Sequence, residues 1–411
     1  MNRRTLLTRG AAIGTAGVVS GCLGTGSQSN AAQTGSTATS GSNSGTTGDS
    51  GGQSSLEFTV AGTPNKKIND WDSVAPFSMW ELKRRLEERS SSLGVSVVGG
   101  GELCSESNCG AKVSSGIIPV GSNSMGNSTK FFPENDIWLL PYTFPSKVSL
   151  PYTMFTEESW ERYWVPFAKK YGVVPIDIDH PPLHRHLYIG KGYDASKRLK
   201  TPSDIEGLKL RRTYSQIAST ALDTWGGSPV TLPWGDTLQG MKSGVVDGME
   251  TFSSVVVAFK MAPVIDQVIL NKWSASTALL YARVDWLKQL STEQRSTLAS
   301  VTKSVSEDVV KLSDEVANKR VGESSPPPEG SGFAENGVRV NTLTDAELEQ
   351  WKQPVSAKEN KDLYSRTIDK VSLWDEGFHN YLWDTARSSS VPEKPADFSI
   401  DAWWNDYIDE I

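Results

Sequence analysis

The chain has 411 residues, of which 37% are hydrophobic, and its formal net charge is -7 at pH 7. A chain of this length and composition can bury the cores of two ordinary domains, which excludes a disordered or fibrous protein for most of its length. Its 41 basic and 48 acidic residues are spread along the sequence without a long basic run. Nucleic acid is therefore not expected as a partner.

The N-terminus, residues 1–21, has the features of an export signal. Arg3 and Arg4 stand before a short apolar stretch over residues 11–21, which is too short to span a bilayer. The twin arginines resemble a Tat export signal, and residues 19–22 resemble a lipobox. That resemblance implies a protein held on the outer face of the cytoplasmic membrane by a lipid on Cys22. The alternative is a cytosolic start with a chance cysteine.

Residues 22–54 predict a flexible linker. From residue 23 onward they are almost wholly small or polar, with Asp49 as the only charge, and such a composition cannot form a packed core. A coil of this length reaches roughly 30 Å. The string GDSGG at residues 48–52 resembles the surroundings of the nucleophilic serine in chymotrypsin-like proteases. No barrel-forming sequence precedes it to supply a histidine and an aspartate, so we interpret it as chance.

The two remaining cysteines, Cys104 and Cys109, enclose the short string SESN. In a protein expected outside the reducing cytosol, this pair predicts a disulfide that closes a small loop. A redox-active or metal-binding pair is the alternative, but no histidine lies nearby in the sequence to complete a metal site. We expect neither a metal nor a cofactor.

The folded part, residues 55–411, alternates between strand-like and helix-like patterns. Leu56, Phe58 and Val60 alternate with polar residues as in a strand, whereas Met79 and Leu82 begin a pattern with helical spacing. Comparable patterns return further along the chain, around residues 173–176, 217–225 and 230–232. Strands that alternate with helices predict an α/β fold with mostly parallel sheets.

A long helix is the clearest single element, and it is predicted from Ser291, as N-cap, to Gly322. Apolar residues repeat along it at spacings of three and four, at positions 298, 301, 305, 309, 312 and 316. At the end of the chain, an acidic and aromatic tail with Trp403, Trp404 and Tyr407 is expected to pack back on a lobe.

Motifs of enzymes do not stand out in the folded part. It lacks a Gly-x-Ser-x-Gly nucleophile elbow, a phosphate-binding Gly-x-x-x-x-Gly-Lys-Ser/Thr loop and a His-Glu-x-x-His zinc motif. His184 and His186 would face the same side of a strand, so a metal pair is conceivable. Partly exposed histidines on a crossover strand are the simpler interpretation. The sequence does not predict an enzyme.

Three motifs lie between residues 201 and 252. They are TPSDIEGLKLR at residues 201–211, GSPVTLPWGD at residues 227–236 and GVVDGME at residues 244–250. This stretch resembles the substrate-binding subunit of tripartite ATP-independent periplasmic (TRAP) transporters, the DctP-like family. Weaker resemblance covers most of the remaining folded part, including residues 133–144 and 287–298.

The resemblance implies that Arg211 grips a carboxylate of the ligand, a role that suits a planar guanidinium with two parallel donors. It also implies that Trp234 lies against the ligand and that Glu250 and Thr251 belong to the site. Asp236 occupies a position where the family usually has glutamate. Thr251 stands where many relatives carry an asparagine that hydrogen-bonds the ligand.

A second arginine precedes the first in some members of the family. Here the corresponding region is GKGY at residues 190–193, and Lys191 is the cation that could replace it. A solvated loop lysine is the alternative. We therefore expect a ligand with one carboxylate rather than two, or with a different polar group.

The fold that the resemblance implies is α/β and two-lobed, a periplasmic-binding-protein-like (type II) fold with mixed sheets flanked by helices and a long hinge-spanning helix. Lobe I is expected over residues 55–180 and 274–320, and lobe II over residues 181–273 and 321–411. The implied function is an extracytoplasmic receptor that delivers a small organic carboxylate to an integral-membrane permease. A binding module that feeds a sensor or another transporter class is the alternative.

Overall fold

The structure is a computed structural model, and it describes residues 56–192, 196–368, 373 and 375–411. The expected export signal (residues 1–21), the lipidated Cys22 and the linker (residues 22–54) lie outside the described residues. The strands of the described part are β1 (Leu56–Ala61), β2 (Leu93–Val98), β3 (Val120–Ser124), β4 (Val173–Ile178), β5 (Leu183–Gly190), β6 (Lys209–Arg212), β7 (Ser228–Thr231), β8 (Gly248–Phe252), β9 (Ile265–Ser276), β10 (Ala278–Arg283) and β11 (Arg339–Asn341).

The α-helices of the described part are α1 (Lys66–Asn69), α2 (Met79–Arg89), α3 (Cys109–Ser114), α4 (Met125–Ser128), α5 (Ser149–Met154), α6 (Glu157–Ser159), α7 (Val165–Tyr171), α8 (Gln216–Thr224), α9 (Trp234–Lys242), α10 (Ser253–Ala258), α11 (Val284–Gln289), α12 (Thr292–Lys311), α13 (Ser313–Glu315), α14 (Gly332–Glu335), α15 (Asp345–Lys352), α16 (Lys361–Ile368), α17 (Glu376–Thr385) and α18 (Trp404–Tyr407). Short 3-10 helices cover Pro133–Leu139, Pro202–Ile205, Ala262–Val264 and Pro395–Asp397, and π-helical turns cover Trp160–Trp164 and Val316–Val321.

Lobe I is built on a five-stranded sheet with the strand order β2-β1-β3-β10-β4. β1 pairs in parallel with β2 and β3, whereas β10 runs antiparallel to β3 and β4. Phe58 and Val60 of β1 are buried, and α2 packs beside the sheet with Met79, Leu82 and Leu86 buried. The strand, helix, strand unit predicted at the start of the folded part is confirmed.

Lobe II is built on a six-stranded sheet with the strand order β11-β9-β5-β8-β6-β7. β6 pairs in parallel with β7 and β8, β11 pairs in parallel with β9, and β5 runs antiparallel to β8 and β9. Leu187 and Ile189 on one face join the larger core that also fills lobe I, while Tyr188, Met249 and Val268 on the other face belong to a second core. Both faces of this sheet are therefore buried.

Both sheets are mixed, which confirms the fold that the family resemblance implies. Five of the nine strand pairs in the described residues are parallel, so the sheets are less uniformly parallel than the alternation of strands and helices alone predicts. Every antiparallel pair of the two sheets involves β5 or β10. The chain crosses from lobe I to lobe II between β4 and β5, and it returns between β9 and β10, in both cases without a helix. A strand that is reached without a crossover helix need not run parallel to its neighbours.

The long helix runs from α12 through α13 to the π-helical turn Val316–Val321. Its predicted start is confirmed, because Ser291 Oγ accepts a hydrogen bond from the Gln294 backbone N–H at 3.2 Å. It ends at Gly322, whose φ of 93° lies in the left-handed region. A Cβ at this position would lie 2.4 Å from Ser331 Oγ, so only glycine fits without a shift.

This helix connects the two cores of the molecule. Val305 and Val309 lie in the larger core, where α12 packs against β4 of lobe I. Val316 and Val321, at the other end, lie in the second core against the lobe II sheet. The prediction of a long helix that spans the hinge is confirmed.

The C-terminal tail, residues 398–411, packs on lobe I. The indole N–H groups of Trp403 and Trp404 both donate to Thr302 Oγ1 of α12, at 3.1 and 3.2 Å. The prediction that the aromatic tail packs back on a lobe is confirmed by these contacts, whereas the boundary of lobe II over residues 321–411 stays a prediction.

Candidate ligand-binding site

A cavity lies between the lobes, where the carboxyl ends of parallel strands from both sheets meet. β1 and β3 of lobe I and β6 and β8 of lobe II end beside it, and β5, antiparallel to β8, begins there. This edge of an α/β sheet is the usual place for a ligand. Lobe I contributes Thr63, Pro64, Phe77, Glu106, Ser124 and Asn127, and lobe II contributes Arg185, Arg211, Thr213, Trp234, Thr251, Phe252, Val255 and Phe259.

Arg211 reaches the cavity from β6, and its side chain is 1% exposed. Its Nε donates to the Leu232 carbonyl oxygen at 3.0 Å, and its guanidinium carbon lies 5.4 Å from the centre of the Trp234 ring. Burial lowers the pKa of Arg211 to about 10, so the side chain is still a cation at neutral pH. The Nη2 atom of Arg211 has no hydrogen-bond partner in the described part of the chain.

Arg212, the next residue on the strand, points elsewhere because side chains alternate along β6. Its Nη1 donates to the carbonyl oxygens of Thr213 and Ser215, at 3.0 Å each. Of two adjacent arginines, only Arg211 therefore lines the cavity.

A second arginine, Arg185, lines the cavity from the first residues of β5. It is 2% exposed, and its Nε donates to Glu250 Oε2 at 2.6 Å. The other carboxylate oxygen of Glu250 accepts the Thr213 backbone N–H at 3.0 Å. Glu250 is fully buried behind the cavity wall and does not line it. Its carboxylate compensates the Arg185 charge and fixes the position of the guanidinium.

Lobe I presents an acidic side chain, Glu106, to the same cavity. Glu106 Oε2 accepts hydrogen bonds from Ser124 Oγ at 2.7 Å, from the Ser124 backbone N–H at 3.1 Å and from Asn127 Nδ2 at 2.9 Å. The loop that carries Glu106 is closed by a disulfide between Cys104 and Cys109, whose Cα atoms are 4.9 Å apart.

Three buried polar atoms of the cavity residues have no hydrogen-bond partner among the described residues. They are Arg211 Nη2, Thr213 Oγ1 and Asn127 Oδ1. Buried polar groups in folded proteins are nearly always hydrogen-bonded, and leaving one unpaired costs free energy. A guanidinium N–H, a hydroxyl and an amide oxygen of the lining residues are therefore left for a polar ligand to pair with.

The remaining wall of the cavity is apolar and largely aromatic. Phe77 comes from lobe I, and Phe252, Val255 and Phe259 come from lobe II. The Trp234 ring stands edge-on to Phe259, with ring centres 5.5 Å apart. A few fixed polar groups within an apolar wall are typical of sites for small molecules.

The three central residues of the sequence-based prediction, Arg211, Trp234 and Thr251, lie together at this cavity. The other three, Glu250, Asp236 and Lys191, do not line it. Glu250 lies behind the wall, as described above. Asp236 is exposed in the first turn of α9, two positions past Trp234 and hence on the other side of the helix. Lys191 is exposed just beyond the far end of β5, with its backbone N–H bonded to the Val264 carbonyl oxygen at 3.0 Å.

Arg185 and Glu106 are the charged residues of the cavity that the sequence did not predict. The sequence predicts the second cation at Lys191, but β5 starts at the cavity and runs away from it, so Lys191 lies at the opposite edge of the sheet. The available signal was the strand pattern around residues 183–190, in which Arg185 is the only charged residue apart from the histidines. A buried strand seldom carries an arginine without a purpose.

The histidines of β5 are buried rather than partly exposed, so that part of the interpretation is wrong. His184 is 8% exposed, and burial lowers its pKa to about 3. His186 is fully buried, and its Nδ1 accepts the Lys272 backbone N–H at 3.2 Å. Within the residues that the structure describes, no group of three histidine, cysteine or acidic side chains could hold a metal ion.

Comparison with known families gives one match over most of the chain. The family model DctP, described as bacterial extracellular solute-binding protein, family 7, matches residues 78–365, which is more than half of the 411 residues.

Individual relatives and solved structures are distant in sequence. The chain is 20% identical over 274 residues to the ectoine-binding periplasmic protein TeaA of Halomonas elongata, covering 67% of this chain and 76% of that protein. It is 23% identical over 259 residues to the C4-dicarboxylate-binding periplasmic protein DctP of Vibrio cholerae, covering 62% and 72%. A TRAP periplasmic solute-binding protein from Shewanella oneidensis with bound succinate has a similar fold, with a TM-score of 0.66, 17% identity and coverage of 81% and 100%.

Proposed function

Because the chain belongs to the DctP family, family 7 of the bacterial extracellular solute-binding proteins, we propose that it binds a small organic carboxylate between its lobes and delivers it to the membrane permease of a TRAP transporter. The family is described as extracellular solute-binding proteins, and relatives of the chain are named as periplasmic proteins that bind a C4-dicarboxylate and ectoine. The identity of the permease and the transfer of ligand to it are part of the proposal.

Arg211 carries this proposal. Its buried guanidinium lines the interlobe cavity, it is held by one hydrogen bond to Leu232, and Nη2 is left without a protein partner in the described part of the chain. A carboxylate placed against this group would supply the missing acceptor through a charge-assisted hydrogen bond. Thr213 Oγ1 could donate to the same anion, and Trp234 offers a flat apolar surface beside it.

The expected affinity follows from the number of such contacts. Hydrogen bonds to charged groups contribute roughly 1.5 to 3 kcal/mol each, and two or three of them with apolar contact reach about -8 kcal/mol, which is micromolar. No bond is made or broken in this scheme, so the side chains at the cavity bind and position the ligand.

The location at the membrane is a further part of the proposal. The family is extracytoplasmic, and no helix in the described residues is long and apolar enough to cross a bilayer. We place the lipid on Cys22 and assign residues 22–54 as the tether that lets the receptor reach the permease. Membrane fractionation of a Cys22→Ser variant tests this, since release into the soluble fraction is expected.

The test of ligand binding uses purified protein and a panel of small carboxylates. We expect at least one of them to raise the melting temperature, because a ligand that binds only the folded state stabilises it. Arg211→Gln should weaken binding of that compound roughly 30-fold or more, since removing one partner of a buried charged pair costs about 2 to 5 kcal/mol.

A matched control for this experiment is Lys209→Gln, an exposed cation on the same strand that does not line the cavity. The control should bind the compound as the natural protein does. Unchanged binding by the Arg211→Gln variant, with the fold intact by circular dichroism, would refute the proposal.

A further inference from the structure

The charges around the cavity nearly balance before any ligand is considered. Among the described residues that line it, Glu106, Arg185 and Arg211 are the ionisable ones. Arg185 is already paired with Glu250 at 2.6 Å. This leaves one cation, Arg211 from lobe II, and one anion, Glu106 from lobe I. The ion pairs found among the described residues do not include a contact between these two.

The buried Arg211 cation has no carboxylate in direct contact among the described residues, which costs free energy, and the part-buried Glu106 adds a negative charge on the opposite wall. The ligand should therefore complement both of these groups. A dicarboxylate would satisfy Arg211 but would bring a second negative charge into a cavity that already contains Glu106. A ligand with one carboxylate and one cationic nitrogen would pair with both side chains, and its own net charge of zero would leave the balance unchanged.

Glu106 is fixed in its place by four neighbouring side chains. Its carboxylate accepts from Ser124 and Asn127, its backbone N–H donates to Thr63 Oγ1 at 2.9 Å, and its carbonyl oxygen accepts from Asn123 Nδ2 at 3.1 Å. Three donors are directed at Oε2, whereas Oε1 has one contact in the described part of the chain, a long one of 3.4 Å to the Ser124 backbone N–H. Oε1 can therefore accept from a ligand.

Asn127 supplies a second acceptor beside Glu106. Its Nδ2 donates to Glu106 Oε2 at 2.9 Å and to Ser124 Oγ at 3.0 Å, which determines which end of the amide is the oxygen. The Oδ1 atom is buried and has no hydrogen-bond partner among the described residues. Lobe I thus offers a carboxylate oxygen and an amide oxygen to one N–H-bearing group, while lobe II offers donors to an anion.

The disulfide restrains the loop that carries Glu106. Cys104 and Cys109 close the loop around Glu106, and inside the loop the Ser105 backbone N–H donates to Asn108 Oδ1 at 2.8 Å. Closing so short a loop restricts the backbone that carries the carboxylate. A loop held in this way keeps Glu106 at the cavity without relying on a bound ligand.

We propose that Glu106, presented by the disulfide-closed loop 104–109, determines specificity, and that the ligand is a small zwitterion whose carboxylate binds Arg211 and whose protonated nitrogen binds Glu106. This inference rests on the proposed function, because it assigns the ligand class of the same cavity.

The experiment measures binding by isothermal titration calorimetry at low salt with sets of probes matched in shape. One set is 4-aminobutanoate, butanoate and succinate, and a second is proline and cyclopentanecarboxylate; ectoine is included as a cyclic zwitterion. The natural protein should bind a zwitterion of these sets more tightly than the matching monocarboxylate that lacks the nitrogen and more tightly than the dicarboxylate. Glu106→Gln should lower the affinity for that zwitterion roughly tenfold to a hundredfold and should raise the affinity for succinate.

Two further variants make the result interpretable. Glu102→Gln removes an exposed carboxylate just before the same loop and should leave every affinity unchanged. Glu106→Asp keeps the charge, so it should retain the preference for the zwitterion over succinate even if shortening the side chain disturbs the loop.

The inference is wrong if none of the zwitterions binds, if the natural protein prefers succinate, or if Glu106→Gln keeps its affinity for the zwitterion within twofold. In those cases the proposed function would still stand if a carboxylate binds the natural protein and loses affinity in the Arg211→Gln variant. If the Arg211→Gln substitution lowers the affinity for none of the probes, the proposed function itself is refuted.

Discussion

Glu250 shows how a single buried carboxylate supports a binding site that it does not touch. Its Oε2 lies 2.6 Å from Arg185 Nε and compensates the charge of that arginine, and its Oε1 accepts a hydrogen bond from the Thr213 backbone N–H. All three residues are buried. We expect Glu250→Gln to lower the free energy of unfolding by about 3 to 5 kcal/mol, because it leaves the Arg185 charge buried without a partner. Urea denaturation followed by circular dichroism measures this.

The control for that measurement is Asp236→Asn, which changes an exposed carboxylate in the same lobe. Its unfolding midpoint should match that of the natural protein. A Glu250→Gln variant that unfolds at the same urea concentration as this control would show that Arg185 finds another partner or stays solvated.

The residues of the site differ in how far the sequence could identify them. Arg211, Trp234 and Thr251 lie within motifs of contiguous sequence, so resemblance alone placed them at one site. Arg185 and Glu106 come from segments far apart in the chain, and only the folded sheets bring them together. Their role depends on which end of β5 meets the cavity and on where the disulfide-closed loop lies, and neither follows from local pattern.

Among the elements, the long helix depends on contacts that reach it from the end of the chain. Thr302 is fully buried, and its Oγ1 accepts the indole N–H groups of both Trp403 and Trp404. We expect Thr302→Val, which keeps the shape but removes the acceptor, to cost roughly 2 to 4 kcal/mol, since each unpaired buried donor costs about 1 to 3 kcal/mol. The loss is read from urea unfolding curves.

Thr302→Ser is the matched control, because it keeps the hydroxyl and removes only a methyl group. It should cost less than the valine variant, even though a small gap is left beside the indoles. If serine is the more damaging substitution, methyl packing rather than the shared acceptor holds the tail on the helix.

The elements whose apolar residues repeat at a regular spacing could be predicted from the sequence. The N-cap at Ser291 and the apolar repeat of the long helix are local properties, and the structure confirms both. Strand direction was not predictable in the same way. β5 and β10 are antiparallel to their neighbours because the chain enters them directly from the other lobe, which is a property of the topology rather than of the strand sequence.

At the scale of the whole molecule, the crossing from lobe I to lobe II begins at a buried acidic pair. Asp177 and Asp179 flank the end of β4, and Ser78 Oγ lies 2.6 Å from one carboxylate and 2.9 Å from the other. Ser122 and Ser306 each donate to one member of the pair. A serine hydroxyl has one proton, so it can donate to only one of the two carboxylates. The second short contact requires a proton on the other carboxyl group.

Burial raises the pKa of Asp179 to about 7, and it raises that of Asp177 as well, with the Asp179 charge adding to the effect. The ordinary pKa of an aspartate is 3.8. Between these two values the folded protein holds a proton on Asp179 that the unfolded chain releases. The stabilisation is complete below about pH 4, and it is lost as the pH rises through about 7.

Asp179→Asn removes this titration while keeping a side chain of the same size, and the neighbouring serine hydroxyls can rotate to accept from the new amide. We therefore expect the stability of the natural protein, relative to the variant, to fall as the pH rises from 5 to 8. Urea midpoints of both proteins across this range measure the difference. Parallel curves would mean that Asp179 is already ionised in the folded state, and the proton that the two Ser78 contacts require would then lie on Asp177.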